Sequence, residues 1–504
     1  MAVAQNASPH LGHRMPRVPT NADRAAKENG AFYTPDAVAS ALVRWAVRRE
    51  TDTLLDPSCG DGRFVSHHPR SVGVERDPTA AAIASERAPR AELHTENFFT
   101  WAQSTAQRFE CAAGNPPFIR YQSFNGATRR HAMDLCAQLG ACFSGLAASW
   151  APFLVVTASL LRRGGRMAFV VPASIGHAPY AAPLLDYLVA RFDQLRIVAI
   201  RQKLFPRLSE DCWLLFCTGF GGSTNSIDFA TIEHFGAFHA DLPTKTVPIP
   251  EWRRVWNRRL RPYLLNDAQR AAYQDTACRP DSPRLGLAAS VGIGYVSGDN
   301  DFFHLRPSTA ARWAIPDQYL HPTVRNARVL PRQTLSRGTI EAWREADEPM
   351  LLLKLPKSGK LPASVSAYLG SEEGQLARQS YKCRTRQPWY SVPDVRVPAF
   401  FLTYMSGMSP SLVRNAAGAT CTNALHAVHL RSGIDGERLR VAWDSAFVEL
   451  SCELEGHALG GGMLKMEPRE AARVVIPSAS AIDELAESDL HKAVRTMRRW
   501  RHYG

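Results

Sequence analysis

Between residues 53 and 171, short apolar runs closed by turn residues alternate with helical or mixed segments. The runs cover residues 53–55, 71–74, 91–94, 109–113 and 167–171. This alternation predicts an α/β fold with a doubly wound, mostly parallel sheet, because parallel neighbours need a crossover connection that is usually helical. A later pair of runs, 195–200 and 213–218, is typical of a hairpin that closes such a sheet.

Charge indicates the kind of partner. The 504 residues include 60 Lys and Arg against 47 Asp and Glu, which leaves a formal charge of +13. A surplus of this size favours nucleic acid as a partner over acidic small molecules, with a merely solvated basic surface as the alternative.

The sequence gives no sign of secretion, of a membrane span or of a metal site. Ten cysteines are scattered without a C-x-x-C pair, which is typical of reduced thiols in a cytosol. The most apolar stretch, 146–161, is interrupted by polar residues and proline, and it is too short to cross a bilayer. We therefore expect a cytoplasmic protein with no metal and no membrane partner.

Composition and punctuation divide the chain into four parts. We expect a disordered basic arm over residues 1–28, a first domain over 29–240, a basic linker over 241–285, and a second domain with a C-terminal helix over 286–504. In the first domain, Thr34, Pro35 and Asp36 predict a helix start, with a capping hydroxyl followed by proline at the first helical position.

Ligands of doubly wound sheets bind beyond the carboxyl ends of the strands, so the residues after each run are the candidates for chemistry. The first run is followed by DPSCGDGRF, from Asp56 to Phe64. Gly60 and Gly62 let the backbone turn tightly and approach a ligand closely. Their spacing fits neither the dinucleotide fingerprint nor the P-loop, and a plain strand-to-helix turn is the alternative.

Two further strand ends carry polar residues. Glu75 closes the second run, where a carboxylate can bind two adjacent ribose hydroxyls; a surface acid paired with Arg76 is the alternative. After the fourth run, Asn115 is followed by Pro116, Pro117 and Phe118. Consecutive prolines fix the backbone, so the Asn115 amide oxygen and the Pro116 carbonyl can converge on one amino group beside an aromatic ring. A structural turn is the alternative.

Taken together, these motifs resemble a known family. The ordered set consists of GAFYTP (30–35), DPSCGDGRF (56–64), VGVERDP (72–78) and GNPPF (114–118). It is similar to the S-adenosylmethionine-dependent amino-methyltransferases that act on DNA, and its order matches the gamma-class N6-adenine methylases of type II restriction–modification systems. The resemblance continues in RRGGRMAFVVP (162–172), the segment 204–216, GIGYVSGDNDFF (292–303) and GGGMLKMEP (460–468).

The resemblance implies a cofactor site for S-adenosyl-L-methionine. Its methionine part, ribose and adenine are assigned to the residues Tyr33, Thr34, Pro35, Asp56, Gly60, Gly62, Glu75, Asn97 and Phe98. Family members usually carry Asp where this chain has Asn97, so the acceptor for the cofactor adenine keeps its carbonyl but loses its charge.

The resemblance also implies a mechanism. Asn115 and Pro116 would accept hydrogen bonds from the target amino group and direct its lone pair at the sulfonium methyl. Positioning then suffices, because the leaving group is neutral. The target adenine would flip out of duplex DNA and stack between Phe118 and Phe205. The second domain would be the mixed α+β target-recognition domain, with a cleft between the domains for the duplex.

Several alternatives stay open. The same chemistry serves cytosine N4, an RNA base or a protein glutamine, and a non-catalytic DNA-binding defence subunit could retain the fold. We expect a monomer, with a separately encoded restriction endonuclease as a partner.

In the C-terminal half, candidate DNA contacts lie in basic stretches. Residues 252–261 would track phosphates or form a solvated linker helix, and Arg384 or Arg386 would enter a groove. Trp389 is interpreted as core rather than as a base wedge, and Lys354, Lys357 and Lys360 as phosphate contacts at most.

Overall fold

The computed structural model describes residues 34–119, 123–143, 147–206, 208, 210–459, 461–483 and 487–503. The chain divides into two compact units, Met1–Arg258 and Arg259–Gly504. The division falls inside the segment 241–285 that the sequence suggested as a linker. The arm over 1–28 and Tyr33 lie outside the described residues.

A nine-stranded mixed sheet organises the first unit. Its strands are β1 Leu54–Asp56, β2 Ser71–Glu75, β3 Glu92–Thr95, β4 Phe109–Gly114, β5 Leu161–Pro172, β6 Phe192–Ile200, β7 Cys212–Phe220, β8 Ser226–Ile232 and β9 Lys245–Pro248. Their spatial order is β3-β2-β1-β4-β5-β7-β6-β8-β9. Strands β1 to β5 pair in parallel, and β7 lies antiparallel between β5 and β6. The α/β prediction and the antiparallel pairing of β6 with β7 are confirmed, but this pair does not close the sheet, because β8 and β9 extend it beyond β6.

Seven α-helices accompany this sheet in the described part of the unit. They are α1 Asp36–Ala46, α2 Pro78–Arg87, α3 Phe98–Ser104, α4 Gly126–Gln138, α5 Trp150–Ser159, α6 Ala181–Val189 and α7 Ile249–Arg254. Helix α5 carries the apolar segment around residue 155 and is buried along most of its length. No described helix is both long enough and apolar enough to cross a membrane.

The start of α1 differs from its prediction. The helix begins at Asp36 with Pro35 as its N-cap, and no side chain caps it. The Pro35 carbonyl accepts from the Val38 and Ala39 N–H groups instead. The predicted capping hydroxyl of Thr34 is therefore wrong.

The strand order determines where the candidate site residues lie. Strand β1 lies between β2 and β4, so the chain leaves β1 toward one side of the sheet and later returns on the other side. At such a switch point the loops that follow the two strands separate and leave a crevice. Asp56 ends β1, and Asn115 directly follows β4. These two residues therefore stand on either side of the crevice.

The basic stretch around residue 255 is exposed at some positions and buried at others. Trp252 is fully buried in the first unit, and Arg253 and Arg258 pair with Asp186. In the second unit, Arg259 and Arg261 are also buried. Both interpretations are therefore wrong for Trp252, Arg259 and Arg261, whereas Arg253 and Arg258 are exposed and their contact with phosphates stays a prediction.

The second unit combines three sheets with short helices. Its strands are β10 Ala289–Ile293, β11 His304–Leu305, β12 Leu320–Val324, β13 Thr334–Leu335, β14 Leu351–Leu353, β15 Phe400–Thr403, β16 Met405–Ser406, β17 Leu412–Asn415, β18 Thr420–Cys421, β19 Leu425–Leu430, β20 His457–Ala458 and β21 Leu464–Lys465. They form sheets ordered β10-β19-β15-β17-β13, β11-β14-β12-β18 and β16-β21-β20.

The helices of this unit are mostly short. They are α8 Asp267–Ala277, α9 Leu285–Ala288, α10 Asn300–Phe303, α11 Pro307–Arg312, α12 Arg337–Glu345, α13 Ala363–Leu369, α14 Glu372–Gln379, α15 Tyr381–Arg384, α16 Gly436–Trp443, α17 Ala446–Glu455, α18 Pro468–Ala471, α19 Ala479–Asp483 and α20 Glu487–Trp500. Trp389 packs against the core of this unit, beside Phe302 and Phe303, as its sequence context suggested.

Candidate active site

A cavity of about 620 Å³ opens at the carboxyl ends of β1, β2 and β4. Its lining includes the predicted site residues Gly60, Glu75, Asn97, Phe98 and Asn115. These residues come from four separate loops of the chain. The other predicted residues with described positions do not line it: Thr34, Pro35, Asp56, Gly62, Pro116, Phe118 and Phe205.

Asp56 is a fully buried carboxylic acid at the floor of this region. Its Oδ1 accepts from the Ser58 N–H at 3.1 Å, and its Oδ2 has no hydrogen-bond partner among the described residues. Burial raises the pKa of Asp56 to about 8, and the negative charge of Glu75 adds to the effect. A buried acid with an open oxygen is suited to a cationic ligand that restores its charged form.

Glycines let the backbone approach Asp56 and the cavity. A Cβ added at Gly114 would lie 2.7 Å from Asp56 Oδ1, closer than any side chain tolerates. Gly60 and Gly62 have φ values of +53° and +84°, a left-handed region that favours glycine. The DPSCGDGRF loop is thus a conformationally specified turn, as its composition predicted.

Glu75 ties that loop to the end of β2. One carboxylate oxygen accepts from the Gly60 N–H at 3.0 Å, and the other accepts from the Asp77 N–H at 2.9 Å. The side chain lines the cavity and is half-buried. Since each carboxylate oxygen can accept more than one hydrogen bond, both remain able to bind two neighbouring hydroxyls.

Asn97 has a local structural task. It is the N-cap of α3, and its Oδ1 accepts from the Phe99 N–H at 3.0 Å. The following ring, Phe98, stacks on Phe153 with ring centroids 5.2 Å apart. Asn97 and both rings line the cavity, so this wall is largely aromatic and suits a flat heterocycle.

Two serines that the sequence interpretation did not single out hold the Asn-Pro-Pro-Phe loop. The Ser58 hydroxyl donates to the Asn115 carbonyl at 3.4 Å. The buried Ser149 hydroxyl donates to the Pro117 carbonyl and accepts from the Ile119 N–H at 3.0 Å. Ser149 thereby fixes the backbone on both sides of Phe118. Its one sequence signal was its place as a polar residue directly before the apolar helix α5.

The segment before α1 is held by two arginines that share the carboxylate of Asp61. The Thr34 carbonyl accepts from Arg63 at 2.8 Å, Arg63 pairs with Asp61, and Arg87 of α2 pairs with the same carboxylate. The Thr34-Pro35 segment is thus anchored to the glycine loop. Phe118 is half-buried and packs against the hydrophobic cluster that contains Phe205, whose exposure is 7%.

The charged side chains around the cavity are mostly acidic. Asp56, Glu75, Asp77 and Glu96 all lie at or beside the cavity, against one arginine, Arg76, in its described lining. An acidic edge of this kind favours a cationic ligand. S-adenosylmethionine carries a sulfonium and an ammonium group, so the residues present fit it in charge, in shape and in hydroxyl-binding capacity.

Comparison with known proteins supports this assignment. The model of the "N-6 DNA Methylase" family matches residues 18–178, and that of the "Type II methyltransferase M.Eco57I, C-terminal domain" matches residues 257–502. Both descriptions name methyltransferases, and the first match spans the loops that line the cavity. The chain is an adenine-specific DNA methyltransferase of restriction–modification, and S-adenosyl-L-methionine is its methyl donor.

Relatives of this methylase align along nearly the whole chain. The type II methyltransferase M.XamI of Xanthomonas campestris pv. amaranthicola is 24% identical over 93% of this chain and 86% of its own length. M.AccI of Acinetobacter calcoaceticus is 19% identical over 92% and 88%. Among solved structures, the type IIL restriction-modification enzyme MmeI in complex with DNA has a TM-score of 0.49 at 13% identity, covering 91% of this chain and 64% of that one.

Proposed function

We propose that this methylase binds the amino acid part of its cofactor with Asp56 and the backbone at Gly60 and Gly62, and the ribose with Glu75. The supporting observation is the cavity at the switch point: Glu75 lines it, and Asp56, a buried acid with an open oxygen, directly precedes its lining residue Pro57. Tyr33, Thr34 and Pro35 complete the methionine end. Asn97 and Phe98 receive the adenine.

The reaction depends on two hydrogen-bond acceptors. Asn115 accepts one N–H of the target adenine amino group through its side-chain oxygen, and Pro116 accepts the other through its carbonyl. These contacts favour a pyramidal nitrogen, whose lone pair then points at the methyl group. The cofactor supplies an activated methyl on a neutral leaving group, so the protein contributes position and electrostatics.

Ser58 and Ser149 keep these acceptors in place as positioning residues. Both hydroxyls contact the backbone of the loop that runs from Asn115 to Ile119. A displacement of about 1 Å in such a loop suffices to slow a transfer roughly a hundredfold. The aromatic Phe118 lies between the Pro117 carbonyl and the Ile119 N–H, both of which contact Ser149.

The target base flips out of the duplex and stacks on Phe118 and Phe205. The flip is required because the amino nitrogen of a paired, stacked adenine cannot reach the methyl donor. Since Phe205 is almost wholly buried, stacking on its ring requires the segment that carries it to shift on DNA binding. Phe118 is half-exposed and needs less movement.

The second unit supplies sequence recognition. Lys382 and Arg384 are exposed beside a cavity of about 520 Å³ formed by β10, β19 and the segment 382–396. Arg386 is a different case, because its guanidinium donates to the Ser297 and Val296 carbonyls at 2.5 and 2.7 Å. Of the two arginines proposed from the sequence, Arg384 is therefore the candidate that can reach a base edge.

In the cell this enzyme protects cytoplasmic DNA against a separately encoded restriction endonuclease, and it acts as a monomer of the gamma class. The motif order supports the class. Methylation of one adenine by one chain needs no second copy, because both the cavity and the recognition unit belong to a single chain.

Methylation of plasmid DNA followed by nucleoside analysis tests the site assignment. Wild-type protein should produce N6-methyladenine, whereas Asn115→Ala should lower transfer at least about a hundredfold and leave cofactor affinity within about twofold. Asn225→Ala is the matched control, since Asn225 is exposed in a loop of the same unit and does not line the cavity. Near-normal turnover of Asn115→Ala, or N4-methylcytosine as the product, would contradict the proposal.

A further inference from the structure

An arginine stands at or just before the amino end of each of six strands in the first unit. They are Arg49 before β1, Arg70 before β2, Arg90 before β3, Arg108 before β4, Arg163 at the start of β5 and Arg191 before β6. We call these six residues the amino-edge row. Strands β1 to β6 all run in the same direction, so the row occupies the edge of the sheet opposite the cofactor cavity.

All six side chains are exposed. Within the described residues, none of them forms an ion pair with a carboxylate. The neighbouring Arg162, which is not part of the row, forms an ion pair with Glu110. Arg108 and Arg191 donate to the Gln107 and Leu139 carbonyls, which leaves their positive charges uncompensated, so the charges of the row can attract a polyanion.

The carboxylates of this edge are mostly occupied. Asp52 accepts from the backbone N–H groups of residues 48 and 49, Glu110 from Thr53 and Arg162, and Glu92 pairs with His94. Glu50 and Asp193 are exposed acids that remain. The net charge of the edge is therefore positive, in contrast to the acidic carboxyl edge.

The geometry of the row is linear. In the sheet order β3-β2-β1-β4-β5-β7-β6, the row spans six strand spacings of about 4.8 Å, or about 29 Å. This length corresponds to about nine base pairs of duplex DNA, whose phosphates are an extended line of negative charge. A line of arginines fits such a polymer better than it fits a compact anion.

Helix dipoles offer a competing explanation, since cations stabilise helix C-termini. Arg191 follows the last residue of α6 by two positions. Arg49, Arg90, Arg108 and Arg163 follow the last residues of α1, α2, α3 and α5 by three or four positions. The dipole effect falls off within the last turn of a helix, so these side chains lie at its limit. Arg70 follows no α-helix.

We propose that the amino-edge row is a second, sequence-independent binding surface for duplex DNA, separate from the catalytic cavity. The row and the cavity lie at opposite ends of the strands, about 13 Å apart along β2, so the two surfaces face opposite edges of the sheet. A second DNA segment held there lets the enzyme move between segments of one long molecule without full release. The inference is independent of the roles proposed for Asn115 and Asp56.

The test uses the full-length enzyme with four substitutions, Arg70→Gln, Arg90→Gln, Arg108→Gln and Arg163→Gln. Binding of a labelled 30-base-pair duplex is measured against salt concentration after one equivalent of an unlabelled target duplex has filled the sequence-specific catalytic site. Wild type should bind this second duplex, and the four-Gln variant should bind it at least tenfold more weakly. The slope of log affinity against log salt should fall by about 3 to 4, at roughly 0.9 for each lost phosphate contact.

A matched variant with Arg→Lys at the same four positions keeps the positive charge. Its affinity for the second duplex should stay within about threefold of wild type. Methylation of a short target duplex should be unchanged in both variants. Unchanged affinity and slope in the four-Gln variant, with only a lowered melting temperature, would reduce the row to helix stabilisation and overturn the proposal. A parallel loss of short-duplex methylation in the four-Gln variant would also overturn the proposal. So would a result in which the variant loses binding of polyglutamate, a polyanion that is not a nucleic acid, but keeps binding of the second duplex.

Discussion

At the scale of single residues, the Ser149 hydroxyl holds the loop around Phe118 through two hydrogen bonds to its backbone. It satisfies the Pro117 carbonyl and the Ile119 N–H around Phe118. Ser149→Ala leaves both backbone groups without this partner, at a cost of about 1 to 3 kcal/mol. We expect a tenfold to hundredfold lower single-turnover rate with cofactor affinity within about twofold, measured by rapid-quench methylation and calorimetry.

Ser159→Ala at the end of the same helix is the control for Ser149. The Ser159 hydroxyl donates to the Val156 carbonyl within α5 and does not touch the loop. Its loss should leave the methylation rate within about twofold. Equal rate losses in the two variants would show that helix stability, rather than loop position, controls the reaction.

The buried acid Asp56 predicts a pH dependence of cofactor binding. Because burial raises its pKa to about 8, Asp56 is protonated in the free protein at neutral pH. A cofactor ammonium group favours the ionised form, so binding releases a proton and strengthens as pH rises. Between pH 5.5 and 7, where the ammonium stays charged, affinity should increase up to about tenfold per pH unit.

Two substitutions check the origin of that slope. Asp56→Asn cannot ionise, so its cofactor affinity should be weak and flat over the same range in titration calorimetry. Asp77→Asn should keep the slope, because Asp77 is an exposed acid at the same edge. A steep slope in Asp56→Asn would assign the titration to another group.

At the scale of elements, the glycine loop depends on contact between β1, its loop and α2. A Cβ at Gly62 would lie 2.8 Å from the Ala84 Cα, and φ there is +84°. Gly164 shares a positive φ of +76° but has open space around it. Gly62→Ala should therefore destabilise the protein by roughly 1 to 3 kcal/mol more than Gly164→Ala, in thermal or urea unfolding. Equal losses of unfolding free energy in the two variants would mean that α2 shifts to make room for the added methyl group at residue 62.

In the parallel half, β1, β2, β4 and β5 were predictable because buried parallel strands read as apolar runs, whereas β3 is a more exposed edge strand. Each run from residue 53 to 171 lies within or overlaps β1 to β5. Strands β8 and β9 were not predicted. β9 is an edge strand of four residues that ends in Pro248, and such strands carry little apolar signal.

The candidate site was predictable as far as strand ends allow. Gly60, Glu75, Asn97 and Asn115 each follow or close a run, and one cavity joins them. Ser149 could not be found in this way, because its partners lie 30 and 32 residues away along the chain. Contacts of this kind depend on how α5 packs, which sequence periodicity does not reveal.

At the scale of the whole molecule, the second of the two compact units contains a buried cluster of charged side chains. The second unit buries an acid among arginines. Glu453 and Arg501 are both fully buried, with Arg501 Nη2 2.7 Å from Glu453 Oε1. Arg498 and Arg261 lie 3.7 and 4.0 Å from the same carboxylate. Arg501 thus links the end of α20 to α17.

Glu453→Gln removes the charge that these three arginines share and keeps the volume of the side chain. Because an uncompensated buried charge costs roughly 3 to 5 kcal/mol, the second unit should unfold at a clearly lower temperature. Glu449→Gln on the same helix is the control: Glu449 is partly exposed and pairs with Arg498, so its loss should cost under about 1 kcal/mol. Calorimetric unfolding with and without cofactor separates the units, since the ligand stabilises the unit that binds it. Cofactor affinity of Glu453→Gln should stay within about twofold of wild type, and a loss that parallels the unfolding shift would show that the cofactor site depends on the second unit.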